Sequence, residues 1–103
     1  MKLLAVTGLK EYQKDINEIF HRSGVPVYST SKIIGQKDGQ APDLLDSWFS
    51  AGNEQFDSVL VFCFAEEEKV KNALRFINEY NAQTQTSFPI HAFIMPVEEF
   101  SHQ

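Results

Sequence analysis

Cysteine is nearly missing from this sequence: among 103 residues there is one, Cys63. A disulfide within the chain is therefore excluded, which suits a reducing compartment. Cys63 lies inside the apolar run VLVFCF, without basic neighbours, the setting of a small buried side chain and not of an activated thiol. Basic residues are also scarce. Nine Lys and Arg stand against 14 Asp and Glu, a formal net charge of −5, which argues against a nucleic-acid-binding surface. No segment approaches the roughly 20 apolar residues of a membrane span. The apolar run in the opening MKLLAVT is shorter than the core of a signal peptide. The expectation is a cytoplasmic protein with no direct membrane insertion and no nucleic acid partner. The usual marks of enzyme chemistry are missing too. No nucleophile stands at a recognisable spacing from a base, so no catalytic residue is assigned.

What is present is enough for one core. The length fits a single domain spanning residues 1–103, able to bury roughly two-thirds of its unfolded surface. A hydrophobic content of 43%, with nine Phe, marks an ordered globule.

Along the chain, KLLAVT (Lys2 to Thr7) reads as a buried strand. The period then changes, and Tyr12, Ile16, Ile19 and Phe20 fall on one helical face. Thr7 is the expected N-cap of this helix, and Gly24 its left-handed C-terminal stop. VPVYSTSKII follows as a β-branched second strand, with Pro26 near its start. From Gly35 to Asp57 the chain carries three Gly, one Pro, five acidic residues and one lysine. That is too long for an ordinary connection, so the segment is expected to be functional or mobile. SVLVFCF resumes as a third strand. AEEEKVKNALRFINEY then forms a second amphipathic helix, with Val70, Ala73, Leu74, Ile77 and Tyr80 on its apolar stripe and glutamates in its first turn. IHAFIMPVEEF is the last strand.

The order β-α-β, long loop, β-α-β predicts an α+β ferredoxin-like sandwich: a four-stranded antiparallel sheet with both helices on one face and a long excursion between strands 2 and 3. The strands are nonetheless apolar on both sides. Val59, Val61 and Cys63 alternate with Leu60, Phe62 and Phe64, and Ile90, Ala92 and Ile94 with His91, Phe93 and Met95. A bare sheet face of that composition is a contact surface, and oligomerisation is its simplest cover.

Over nearly its whole length the chain resembles the PII signal-transduction proteins and their PII-like relatives. MKLLAVTGLKEYQKDINEIFHRSG looks like that family's first strand and helix, and VYSTSKIIG like its second strand running into the T-loop. VLVFCFAEEEKVKNALRFINEY looks like its third strand and second helix, and IHAFIMPVEEF like its closing strand. The resemblance implies a homotrimer with sheets facing inward and loops projecting outward. It also implies a small ligand in the clefts between subunits, and a regulated partner, a membrane transporter among the candidates.

The family's motifs match in part. At the T-loop base GQKDG retains Gly35, Gln36 and Lys37, with a one-residue shift for the last two, but the second glycine and the arginine are absent. The glycine-rich loop that cradles phosphate before the last strand is replaced by TQTSFPIHAF, and the paired arginines after that strand are missing. A triphosphate needs exposed backbone N–H groups and compensating cations. Mg-ATP binding of the family's kind is therefore not expected, and the effector is left unnamed. The uridylylated tyrosine of the T-loop has no counterpart between Gly35 and Asp57. The closer resemblance is to divergent PII-like proteins with eroded nucleotide motifs. It places Ser29, Lys32, Gly35, Gln36 and Lys37 at the ligand, and Asp43, Leu44, Leu45, Trp48 and Phe49 on the partner-binding loop.

Two other readings stand beside it. One is a CutA-like trimeric module that binds metal or a small molecule. The other is a small ferredoxin-like enzyme with a pocket lined by His91 and Glu98. His21, His91 and His102 show no metal-ligand spacing, so no metal is assigned, although a trimer could gather three copies of one of them.

Overall fold

The computed structural model describes residues 1–36 and 55–101. The elements run β1 (Lys2–Leu9), a 3-10 turn (Lys10–Tyr12), α1 (Gln13–Arg22), β2 (Ser29–Gln36), β3 (Gln55–Ala65), α2 (Glu67–Thr84) and β4 (His91–Pro96). The four strands form one antiparallel sheet in the order β2-β3-β1-β4. This is the expected ferredoxin-like arrangement.

Alternation along the strands creates the two layers. Leu4 and Val6 of β1 share a face with Val59, Val61 and Cys63 of β3, with Ile90, and with Ala92 and Ile94 of β4. Against this face lie Ile16, Ile19 and Phe20 of α1 and Val70, Ala73 and Ile77 of α2, all buried. Each such side chain removed from water contributes about 1.5–3 kcal/mol, so this single layer holds the fold together. Leu74 and Tyr80, also expected on the stripe of α2, are half-buried at its margin.

The first helix begins later than its sequence suggests. Thr7 is not its N-cap: β1 continues through Gly8 to Leu9, and the 3-10 turn precedes the helix proper. Gly8 sits close under the helix layer: a Cβ there would lie 3.4 Å from Ile16 Cδ1 and from Ile90 Cγ1. Thr7 is instead buried in the sheet, opposite Leu60 and His91.

The end of α1 agrees with expectation. Gly24 takes φ 78°, its N–H donates to the His21 carbonyl at 3.1 Å, and the Val25 N–H donates to the Phe20 carbonyl at 3.0 Å. This is the paired bonding of a Schellman stop, closed by burial of Val25. β2 starts at Ser29, so Pro26 lies ahead of it and withdraws no ladder hydrogen bond. Pro96 is the last residue of β4, an edge strand, where its missing N–H costs the sheet nothing. α2 extends to Thr84, beyond the expected Tyr80, and stops where Gln85 turns left-handed at φ 49°.

Candidate functional site: the open sheet face and the β2–β3 ribbon

The second face of the sheet has three tiers, the first two apolar. Phe64, Leu3 and Met95 lie side by side across β3, β1 and β4; Phe62, Ala5 and Phe93 form the next tier, and Leu60, Thr7 and His91 the third. Neither helix packs on this face; its outer tiers are exposed, whereas Thr7 in the third is buried. Phe64 is 54% exposed, Met95 42% and Phe93 36%. The rings of Phe62 and Phe64 pack edge to face with centroids 6.3 Å apart. This is the two-sided pattern that the sequence predicted, and it exposes aromatic side chains where a lone domain would place polar ones.

β2 and β3 outrun the sheet. β1 pairs with β3 only as far as Leu9 opposite Ser58, whereas β2 and β3 remain paired through Ile34–Asp57, Gly35–Phe56 and Gln36–Gln55. The excursion between them thus starts from a two-stranded ribbon that projects past the last β1 pairing. Its stems are strand up to Gln36 and from Gln55, inside the loop bounds of 35–57 that composition suggested. Gly35 is accordingly a strand residue, buried and opposite Phe56; the one glycine with positive φ among the described residues is Gly24.

The expected ligand residues are spread along this ribbon. Ser29 is exposed and opposite Phe62, on the open face; Gly35 shares that face, but six residues of strand separate the two by about 20 Å. Lys32 and Gln36 are exposed on the other side of β2. These four do not converge on one point within a single chain. Lys37 and the loop residues Asp43, Leu44, Leu45, Trp48 and Phe49 fall outside the described residues, as does His102.

Sequence reasoning gave no role to the connection between α2 and β4, which proves to be held from several sides. The Asn81 side chain accepts a hydrogen bond from the Ile90 N–H at 2.9 Å and donates to the Ile90 carbonyl at 2.8 Å. Thr86 Oγ1 lies 2.7 Å from the Tyr12 hydroxyl and accepts from the Phe88 N–H at 3.0 Å. The Gln85 N–H donates to the Asn81 carbonyl at 3.1 Å. Tyr80, edge to face with Tyr12, donates to Asp15 Oδ2 at 2.7 Å. Burial, aided by the bond to Asp15, pushes the Tyr80 phenol up to about 12. Partners as far apart as Tyr12 and Thr86 leave no local sequence signal.

Elsewhere burial shifts the His91 imidazole below its usual value. It also raises the Cys63 thiol, outweighing a backbone hydrogen bond with Leu4 that acts the other way. A buried, raised thiol is a poor nucleophile. Among the described residues no group of three or more His, Cys, Asp or Glu is placed to hold a metal ion. Among the same residues no helix is long and apolar enough to cross a membrane.

No protein-family model matches the sequence, and no curated protein sequence matches it. Solved structures do match the fold. A protein of Thermus thermophilus assigned to PII-like signalling superposes with TM-score 0.61 at 15% identity, covering 90% of this chain and 82% of that one. CPII of Thiomonas intermedia K12, a nitrogen regulatory PII-like protein solved with ADP, AMP and bicarbonate, superposes with TM-score 0.61 at 13% identity over 97% of this chain and 94% of CPII. Its complex with ADP, AMP and acetate gives TM-score 0.65 at 14% identity over 91% and 82%. The chain therefore has the fold of PII-like signalling proteins.

Proposed function

We propose that this chain is a divergent PII-like regulator: a homotrimer that senses a small ligand in clefts between subunits and acts on a partner protein through the segment between β2 and β3. The observation that carries the reading is the pairing of a sheet face exposing Phe64, Phe93 and Met95 with a ribbon that projects beyond the last β1 pairing, in a fold shared with PII-like proteins. The open face supplies the trimer interface. Ser29, Lys32, Gly35, Gln36 and Lys37 lie toward the cleft, and Asp43, Leu44, Leu45, Trp48 and Phe49 toward the partner, a membrane transporter being one candidate. The protein catalyses no reaction and works in the cytoplasm.

CPII was solved with ADP, AMP and bicarbonate, so nucleotides and small carboxylates are the ligands to try first. A ligand acts only if it favours one conformation of the segment over another, because equal affinity for all of them shifts nothing. Gly35, buried opposite Phe56 at the mouth of the ribbon, couples the two. Pull-down from membrane fractions, with and without AMP, ADP or bicarbonate, tests the reading. Gly35→Val is expected to abolish the ligand dependence of capture and Trp48→Ala the capture itself, with both variants still trimeric. The reading fails if both variants retain the parent's ligand-dependent partners.

A further inference from the structure

The helix layer, which the proposed trimer leaves facing solvent, carries a feature that the regulatory reading does not use. The sequence contains two arginines, Arg22 and Arg75, and both converge on one ring. The guanidinium carbon of Arg22, at the end of α1, lies 4.3 Å from the centroid of Phe76; that of Arg75, on α2, lies 5.0 Å from the same centroid. Both arginines are exposed and Phe76 is half-buried.

Each arginine also has a glutamate at the helical spacing that normally forms an ion pair: Glu18 four residues before Arg22, and Glu79 four after Arg75. Neither pair forms. The ion pair found among the described residues is Lys71 with Glu67, at 3.5 Å. Both guanidinium groups thus lie over the ring, and no carboxylate of the described residues forms an ion pair with either. Two like charges gathered on one ring repel each other, and a negative group between them removes that repulsion. The planar donor edge of a guanidinium matches a carboxylate in two-point contact, a match that an ammonium group lacks.

We infer that Arg22 and Arg75, gathered over Phe76, form a docking point for an acidic segment of a partner protein, one carboxylate for each guanidinium. The exposed position on a helix pair favours a protein segment over a free small anion, which is held in enclosed sites. The net charge of −5 opposes long-range attraction to any extended polyanion, so the contact is confined to a short acidic stretch that reaches the two cations within a Debye length.

The test is an NMR titration of the full chain that follows the arginine Nε–Hε signals, with hexaglutamate as probe and inorganic phosphate and phosphatidylserine vesicles as separate arms. Hexaglutamate is expected to shift both signals saturably, with a Kd on the order of 1 mM or tighter. The double variant Arg22→Lys/Arg75→Lys, which keeps the charge and loses the planar edge, is expected to bind at least about tenfold more weakly, followed through backbone amides. Phe76→Leu, which keeps both arginines and removes the ring, is expected to weaken binding as well. Absence of saturation, equal binding by the lysine variant, or phosphate or vesicles binding as tightly as hexaglutamate would each overturn the inference. None of these outcomes depends on whether the open sheet face forms a trimer or the cleft binds a ligand.

Discussion

The side chain of Asn81 bonds to both sides of one backbone residue, accepting from the Ile90 N–H at 2.9 Å and donating to the Ile90 carbonyl at 2.8 Å. Ile90 is buried and β4 begins at the next residue, so this clamp sets where the last strand enters the sheet. Asn81→Ala removes both bonds and leaves two backbone groups short of partners, a cost of about 1–3 kcal/mol. Asn81→Asp keeps the acceptor but turns a carboxylate toward the Ile90 carbonyl, and it should destabilise at least as much. Urea unfolding of both variants checks this; an unchanged midpoint for Asn81→Ala would show that the clamp contributes nothing.

The open face of the sheet and the helix-covered core should respond to substitution in opposite ways. Phe64 is 54% exposed in the single chain, so Phe64→Glu is expected to leave the domain folded while abolishing the proposed trimer. Phe20 of α1, fully buried between the helices and the sheet, belongs to the core; Phe20→Ala should cost about 3–5 kcal/mol in unfolding. Light scattering combined with thermal unfolding separates the two effects. A Phe64→Glu protein that remained trimeric would move the interface off this face.

The layers of the fold were legible in the sequence because they follow from period. Alternation in VLVFCF and HAFIM, and the helical spacing of Ile16, Ile19 and Phe20, place nearly every buried residue. A threonine ahead of a helical pattern has the chemistry of a cap, whereas the pairing of Thr7, Gly8 and Leu9 with β3, visible only in three dimensions, lengthens the strand. The candidate site was less legible. Alternation puts Ser29 and Gly35 on the open face, but a cleft between subunits depends on a second copy that one sequence does not position. The Asn81 clamp, the Tyr12–Thr86 bond and the arginines on Phe76 join distant or differently oriented residues, and no local pattern announces them.

Acid should weaken the fold through His91. This residue lies on the open face opposite Thr7, and burial lowers its pKa below the usual 6.5. Below that value the unfolded chain takes up a proton that the folded chain resists, so the unfolded state binds more protons and stability rises with pH. The contribution of His91 is therefore intact above about pH 6.5 and declines as pH falls toward the depressed folded value. His91→Gln should flatten the stability profile between about pH 7 and 5 relative to the parent. If trimer contacts bury the imidazole further, the parent's decline will steepen with protein concentration. Parallel profiles for parent and variant would assign the acid sensitivity elsewhere.

Phosphate count should matter little to whatever nucleotide binds. A polyphosphate is held by backbone N–H groups that glycine exposes and by cations beside them. In the α2–β4 connection the N–H groups of Gln85, Phe88 and Ile90 already donate to the Asn81 carbonyl, Thr86 Oγ1 and Asn81 Oδ1. The stretch from Asn81 to Ile90 contains neither glycine nor lysine, and Tyr12 ties Thr86 to the start of the first helix at 2.7 Å. Freeing those donors for phosphate would break internal bonds worth about 0.5–1.5 kcal/mol each, offsetting much of what an added phosphate gains. Calorimetry with AMP, ADP and ATP in the presence of magnesium is thus expected to show affinities within about tenfold of one another, with ATP no tighter than AMP. Asn81→Ala, which frees the Ile90 N–H, should if anything raise ATP affinity relative to AMP in protein that remains folded. Micromolar, magnesium-dependent ATP binding at least about tenfold tighter than AMP would show that a phosphate cradle exists in this chain despite those internal bonds.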